Sequence, residues 1–185
     1  MKLLAISGSL RKGSFNTQLL KAAAEYAGDG VSIELFDLAD IPFYNGDLDG
    51  DTRPAAVAAL LDAIRKADGM LIATPEYNYS IPGVLKNALD WASRPAFNSV
   101  MRDKPTGILS SSMSTLGGAR AQIHLRDVLA ATLTPFYLAP DFALPSAHTA
   151  FDKTGRLLDE GSRERLQSYM AGFTQWVARQ TQPDI

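Results

Sequence analysis

The sequence predicts a doubly wound α/β fold, in which one parallel sheet carries helices on both faces. Short apolar strand patterns alternate with helical patterns from end to end, and no repeat or low-complexity linker interrupts them. The loops expected after the first, third and fourth strands are rich in Gly, Ser, Asn and Pro. Right-handed crossovers leave few topologies for five such strands, and the order 2-1-3-4-5 is the simplest.

The strands are predicted from apolar runs, and they are expected at 2–6, 31–36, 69–73, 105–109 and 134–139. Gly28 and Gly30 separate the first helix from the second strand, and Pro54 opens the second helix after a polar loop over 37–53. Each helix is predicted from apolar residues spaced three and four apart. In chain order these faces are Leu20, Ala23, Ala24, Ala27; Val57, Leu60, Leu61, Ile64; Leu85, Ala88, Leu89, Ala92; Ala121, Leu125, Val128, Leu129; and Leu166, Met170, Phe173, Val177. The tail from Thr181 is expected to be loose.

Composition narrows the class of protein. The chain has 185 residues, of which 46% are hydrophobic, and this fits one domain over 1–185 with a sizeable core. No apolar run approaches the ~18 residues of a membrane span. The net charge is −2 and the cations are scattered, so the sequence lacks the clustered positive charge of a nucleic-acid-binding surface. The absence of cysteine excludes disulfides and thiolate chemistry. With no targeting segment, a cytoplasmic location is expected.

The stretch from Ser7 to Asn16, between the first strand and the first helix, is the leading candidate for a binding loop. It contains glycines, hydroxyls, an amide and two cations but no acid. Amides at a helix N-terminus point at an anion and the helix dipole favours it, while Arg11 adds a forked cation. This composition suits a phosphate. The alternative is an ordinary turn with Ser14 as N-cap and Gly13 as a permissive residue.

The loop after the third strand, Thr74–Gly83, suits a planar ring. Two prolines stiffen it, Tyr77 and Tyr79 offer flat apolar faces, and Asn78 offers both a donor and an acceptor. The alternative is a rigid turn whose tyrosines pack on the neighbouring core.

Three blocks together carry a resemblance to a known family. They are Gly-Ser-Leu-Arg-Lys-Gly-Ser-Phe-Asn at 8–16, Pro-Glu-Tyr-Asn-Tyr-Ser-Ile-Pro-Gly-Val-Leu-Lys-Asn-Ala-Leu-Asp-Trp at 75–91, and Gly-Gly-Ala-Arg at 117–120. In this order they resemble the NADPH-dependent FMN reductase family, above all its bacterial quinone and chromate reductases. The resemblance covers essentially the whole chain.

The resemblance implies a flavodoxin-like fold that binds FMN noncovalently. It assigns the FMN phosphate to Ser9, Arg11, Ser14, Phe15 and Asn16. It assigns the isoalloxazine ring to Pro75, Glu76, Tyr77 and Asn78, with Ser111 or Ser112 approaching from the third loop. It also implies a homodimer or homotetramer, although residue 123 is Ile where relatives carry a Tyr at a tetramer contact.

Two functions follow from this resemblance. One is an oxidoreductase that takes hydride from NADPH or NADH and passes electrons to a small-molecule acceptor such as a quinone, free flavin, azo compound or metal oxyanion, with ping-pong kinetics. The other is a flavodoxin-like electron carrier that docks on a protein partner. Acids and bases nearly balance, which favours the enzyme because carriers usually have an acidic docking face. The flavin would supply the reactive centre, so no side chain is assigned as catalytic.

Other candidate sites are weaker. His124 and His148 lack partners at ligand spacing, so no metal site is expected. Asp47–Asp51 has Gly50 in the wrong place for a calcium loop, and it is interpreted as a solvated loop that could reach a partner subunit. Ser110–Ser112 has no histidine in a nucleophile-elbow context. Trp91 and Phe97 are interpreted as packing or interface residues, and the helix over 84–92 as a dimer surface.

Overall fold

A computed structural model describes residues 1–181 of the chain. It confirms a five-stranded, all-parallel sheet in the order β2-β1-β3-β4-β5. The strands are β1 (Lys2–Ser7), β2 (Ser32–Phe36), β3 (Gly69–Thr74), β4 (Thr106–Ser111) and β5 (Phe142–Leu144). The helices are α1 (Phe15–Glu25), α2 (Ala55–Lys66), α3 (Gly83–Ala92), α4 (Ala119–Ala131), α5 (Ala147–Ala150) and α6 (Glu160–Gln180), with a 3₁₀ turn at Gly46–Leu48. The expectation for the tail beyond Thr181 falls outside the described residues.

The sheet separates two apolar cores. Alternate residues of β3 illustrate this, because Met70 and Ile72 face the core with α2, α3 and α4, whereas Leu71 and Ala73 face the core with α1 and α6. Every residue of β3 and β4 is buried. A largely apolar run suits a strand that is covered on both faces, and the observed strand order confirms the predicted positions of β3 and β4 inside the sheet.

The predicted fifth strand over 134–139 is wrong. That segment makes one bridge to β4, where Tyr137 donates its amide to the Thr106 carbonyl (2.9 Å), and it then leaves the sheet. Its neighbour Leu138 is 82% exposed, and the Tyr137 ring turns into an aromatic cluster with Tyr169 and Phe173. The strand proper begins at Phe142, opposite Leu109. The segment over 134–139 is therefore a connection rather than a strand, because the Tyr137 ring packs on α6.

One strand boundary and one helix face also differ from the predictions. Ser110 and Ser111 were expected in a loop, but both pair with a neighbouring strand as the end of β4. In α1 the buried face includes Leu19, Leu20 and Ala23, while Ala24 is exposed.

Within residues 1–181, no helix combines the length and apolar character needed to cross a membrane.

Candidate functional site

A cavity of about 420 Å³ lies at the carboxyl ends of β1, β3 and β4. Its wall consists of Ser9, Arg11, Ser14, Phe15, Asn16, Pro75, Glu76, Tyr77, Ser111, Ser112 and Met113. All the predicted site residues except Asn78 therefore line one cavity. Met113 was not predicted, and no pattern in the serine-rich third loop singled it out. The volume and the position at a topological switch point are those of a small-molecule site.

A larger groove of about 510 Å³ lies between β2 and α2, away from the three loops. Its lining includes Lys2, Glu34, Asp62 and Lys66 together with aliphatic side chains. Charges of both signs are mixed there, whereas ligands of doubly wound sheets bind beyond the carboxyl ends of the strands. The smaller cavity is therefore the better candidate.

The first loop is compatible with both sequence interpretations. Ser14 is the N-cap of α1, and its Oγ accepts a hydrogen bond from the Thr17 amide (3.2 Å). A serine hydroxyl that accepts still has its own proton to donate, so capping and ligand binding are compatible. The first turn of α1 carries no acidic residue, which leaves the positive end of the helix dipole beside the cavity.

Arg11 is held above the cavity by stacked rings. Its guanidinium carbon lies 4.7 Å from the Phe15 ring centroid, and the Phe15 ring lies parallel to that of Phe151 at 6.5 Å. Phe151 belongs to a short hairpin bridged to Leu157. Sequence reasoning missed Phe151, because nothing local indicates that a residue so far along the chain supports this loop.

Asn16 joins the first and third loops. Its side-chain amide donates to the Ser111 carbonyl (3.1 Å), and its Oδ1 accepts from the Ser111 amide (2.9 Å). Both residues are buried. One N–H of the Asn16 side chain is left over for a ligand. The Ser111 hydroxyl is also buried, and no described residue forms a hydrogen bond with it.

The second loop forms a tight turn at the cavity mouth. Tyr77 and Ser80 exchange backbone hydrogen bonds of 2.9 and 3.0 Å, and the two residues between them have positive φ angles (50° for Asn78, 65° for Tyr79). Tyr77 is 54% and Tyr79 63% exposed. The alternative in which these tyrosines pack on the core is therefore wrong.

Glu76 lines the cavity but directs its carboxylate to α4. Oε2 accepts from the backbone amides of Arg120 (3.0 Å) and Ala121 (3.4 Å), and Oε1 lies 3.8 Å from Nη1 of Arg120. A carboxylate at a helix N-terminus is favourable because it meets unpaired amides and the positive end of the dipole. The Glu76 carboxylate is therefore already engaged by α4, and the Glu76 backbone is the part of this residue that is available to a ligand.

The third loop is shaped by close backbone contact. Ser110 donates to the Gly117 carbonyl (2.8 Å), and Gln122 donates to the Ser110 hydroxyl (2.7 Å). Gly117 has φ of 60°, and a Cβ there would lie 2.9 Å from the backbone of Ala143 and Leu144. Only glycine allows this approach, which brings the loop against β5 and leaves Met113 64% exposed at the rim.

No cluster of three or more His, Asp or Glu side chains suited to a metal occurs in residues 1–181. His124 instead lies 2.9 Å from the Ser80 hydroxyl through its Nδ1. Trp91 is completely buried and donates to the Pro42 carbonyl, so it is a packing residue, whereas Phe97 is 65% exposed.

Comparison with known proteins agrees with this geometry. The family model for NADPH-dependent FMN reductases matches residues 1–149. An NAD(P)H-dependent FMN reductase of Pseudomonas aeruginosa is 46% identical over 179 residues, covering 97% of this chain and 96% of that protein. A 2-hydroxy-1,4-benzoquinone reductase of a Burkholderia species is 41% identical over 177 residues, covering 96% of both chains.

A solved structure is also similar over almost the whole chain. The flavoenzyme FerB of Paracoccus denitrificans, an NAD(P)H:acceptor oxidoreductase, superposes with a TM-score of 0.89 at 34% identity, covering 96% of this chain and 97% of that one. The three sequence blocks thus lie on a fold that this solved structure shares.

Proposed function

Because the chain belongs to the NADPH-dependent FMN reductase family, we infer that it is an FMN-dependent NAD(P)H oxidoreductase that reduces quinones or similar small acceptors. This inference rests on one observation: the loops after β1, β3 and β4 meet in a single cavity. The first of these loops suits a phosphate and the second suits a planar ring. The electron-carrier alternative is not favoured, since the curated relatives are named as reductases.

The residues of the cavity fit FMN. A helix N-terminus, a stacked guanidinium and several hydroxyls suit a phosphate, and the buried Ser111 hydroxyl lacks a partner among residues 1–181. We propose that the phosphate is held by Ser9, Arg11, Ser14, Phe15 and Asn16. We propose that the ring lies against Pro75, Glu76, Tyr77, Ser111 and Ser112, with Asn78 at the edge of the turn.

FMN, when bound, supplies the hydride acceptor and donor. The chain's own contribution is position and environment. Tyr77 and Met113 border the cavity with apolar surface, and Arg11 offsets anionic charge. The Tyr77 amide is already bonded to Ser80, so a backbone donor to the ring would come from Glu76 or Asn78. Donor and acceptor would use one open cavity in turn, so ping-pong kinetics are expected.

We propose that the protein acts as a homodimer or homotetramer of one flavodoxin-like domain over 1–185. An exposed aromatic on a rigid loop supports this. Phe43 is 86% exposed, yet its neighbours are anchored to α3, since Asn87 donates to the Pro42 carbonyl (2.9 Å) and accepts from the Tyr44 amide (2.8 Å). Such pre-organised aromatics are typical of interfaces. A cytoplasmic location remains a prediction.

The test is the visible spectrum of the purified protein, before and after addition of NADPH or NADH without oxygen. We expect an oxidised flavin spectrum that bleaches and then returns when a quinone is added. A flavin that stays oxidised with both nicotinamides would contradict the reductase function and support the carrier. A colourless protein that also ignores added FMN would contradict the cofactor itself.

A further inference from the structure

The turn from Tyr77 to Ser80 is held in an unfavourable backbone geometry. Two consecutive central residues with positive φ define a type I′ turn, for which Asn followed by Gly is the preferred pair. Asn78 suits its position, but Tyr79 at 65° places a Cβ where it crowds the following carbonyl. Strained residues of this kind persist only where their surroundings hold them, and they concentrate at functional sites.

The first turns of α4 provide that support through three contacts. Glu76 accepts hydrogen bonds from the Arg120 and Ala121 amides, immediately before the turn. The Arg120 guanidinium lies 4.1 Å from the centroid of the Tyr79 ring, on the strained residue itself. At the end of the turn the Ser80 hydroxyl lies 2.9 Å from Nδ1 of His124.

The support is mutual, because α4 has no cap of its own. Its N-cap residue is Gly118, in a left-handed conformation (φ 92°) and without a side-chain hydrogen bond to the helix. The amides at the start of a helix need partners, which an N-cap side chain usually supplies. Here Glu76 supplies them from another loop, and its side chain is only 11% exposed. One carboxylate therefore completes a helix and anchors the turn beside the cavity.

We propose that Glu76 is a positioning residue, which together with Arg120 and His124 fastens the strained Tyr77–Ser80 turn to α4 and so sets the backbone that faces the flavin ring. The claim that this turn faces the flavin ring rests on the proposed function, whereas the claim that Glu76 fastens the turn to α4 does not. The carboxylate of Glu76 is directed to α4, so its expected effect on the ring passes through the turn.

The first experiment measures the fastening in the full-length protein freed of flavin. Hydrogen exchange of the amides of Tyr77 and Ser80 is followed by mass spectrometry of the peptide that contains them. We expect Glu76→Ala to speed their exchange about tenfold, the effect of losing a helix cap and its anchor. Glu76→Gln keeps an acceptor oxygen and should recover most of the protection. Unchanged exchange in Glu76→Ala would overturn the proposal.

Asp159→Ala is the matched control. Asp159 caps α6 by accepting from the Ser162 amide (2.6 Å), so its removal also costs one helix cap, but it does not line the cavity and makes no hydrogen bond to the Tyr77–Ser80 turn. We expect this variant to leave the exchange of Tyr77 and Ser80 unchanged. If it speeds that exchange as much as Glu76→Ala does, the effect is general destabilisation and the proposal is wrong.

The second experiment measures the consequence for FMN. We expect Glu76→Ala to raise the FMN dissociation constant about tenfold and to shift the midpoint potential of the bound flavin. Glu76→Gln should restore both in large part, and Asp159→Ala should move neither. FMN binding and potential that stay unchanged in Glu76→Ala would contradict the ring-facing role. If the unaltered protein binds no FMN, the proposed function fails, and the exchange measurement still decides the fastening.

Discussion

Arg11 illustrates how an exposed side chain can be ordered before a ligand arrives. Its guanidinium packs on Phe15, which in turn lies against Phe151. A cation held over an aromatic ring loses less conformational freedom when it binds an anion. Lys12 is the adjacent residue and is exposed, but it does not line the candidate cavity. The two cations should therefore differ in function although they are neighbours in sequence.

Arg11→Ala should weaken FMN binding by about 1.5–3 kcal/mol, the range for a hydrogen bond to a charged group. The measurement is a fluorescence titration of the flavin-free protein with FMN. Lys12→Ala is the control, and it should change the affinity much less. Equal losses in the two variants would mean that only net charge matters, and an unchanged affinity in Arg11→Ala would show that this guanidinium does not bind the phosphate.

Asn16 has a structural role that precedes any contact with a ligand. Asn16→Ala leaves the buried amide and carbonyl of Ser111 without partners, at about 1–3 kcal/mol for each unsatisfied group. We expect the free energy of unfolding to fall by about 2–4 kcal/mol in urea titrations. The exposed Asn98 provides the control, and Asn98→Ala should have little effect. A loss confined to FMN affinity, without loss of stability, would contradict this role.

At the scale of elements, α6 completes the edge of the sheet. Between the Thr106 bridge and the start of β5, the backbone of Ile108 lies beside Ile72 of β3 on one side but has no strand on the other. The buried Tyr169 hydroxyl takes that place, since it donates to the Ile108 carbonyl (2.9 Å) and accepts from the Ile108 amide (2.8 Å). One side chain thus substitutes for a missing residue of β5, and the connection over 138–141 is able to leave the sheet.

Tyr169→Phe should lower the free energy of unfolding by about 2–4 kcal/mol, because it removes both partners of a buried backbone unit. Tyr137→Phe is the control in the same aromatic cluster, and it should cost much less. Chemical denaturation of both variants with the FMN removed checks this. If the two variants lose the same stability, the Tyr169 hydroxyl is not the partner that the geometry indicates.

The same hydroxyl predicts a dependence on alkaline pH. Burial raises the pKa of Tyr169 above its ordinary value of 10.0. Above about pH 10 the unfolded chain loses the Tyr169 proton, whereas the folded state keeps it. The stabilisation is therefore complete below about pH 10, and it is lost as the pH rises toward the folded-state pKa. The free energy of unfolding should decline less steeply above about pH 10 in Tyr169→Phe than in the unaltered protein. Parallel declines would contradict this.

At the scale of the molecule, Phe43 is the strongest candidate for a contact between copies of the chain. Phe43→Ser should weaken self-association about thirtyfold, as expected for an aromatic interface residue worth about 2 kcal/mol. Leu138→Ser is the control, because Leu138 is 82% exposed and lies on another segment. Sedimentation velocity at several concentrations measures this. A protein that is monomeric throughout, or equal effects of both variants, would contradict the proposal.

Much of the molecule could be predicted because its signals are local. Each of these signals occupies a short stretch of sequence. They are the apolar runs of β3 and β4, the amphipathic faces of α2 and α6, and the loops that follow β1, β3 and β4. Topology rules then bring the loops to one edge of the sheet, and the cavity there is lined by every predicted site residue except Asn78.

Other features depend on residues far apart in the chain. Phe151 under Phe15, Glu76 on α4 and Tyr169 beside Ile108 are pairs for which no spacing rule exists. The same cause explains the error over 134–139, where Tyr137 gains more by packing its ring on α6 than by extending the sheet. The sequence by itself thus determined the alternation of strands and helices, the strand order and the location of the candidate site, since these follow from periodicity and chain connectivity. Only the tertiary structure decided which groups are already engaged, because a hydrogen-bond partner is chosen by proximity in space.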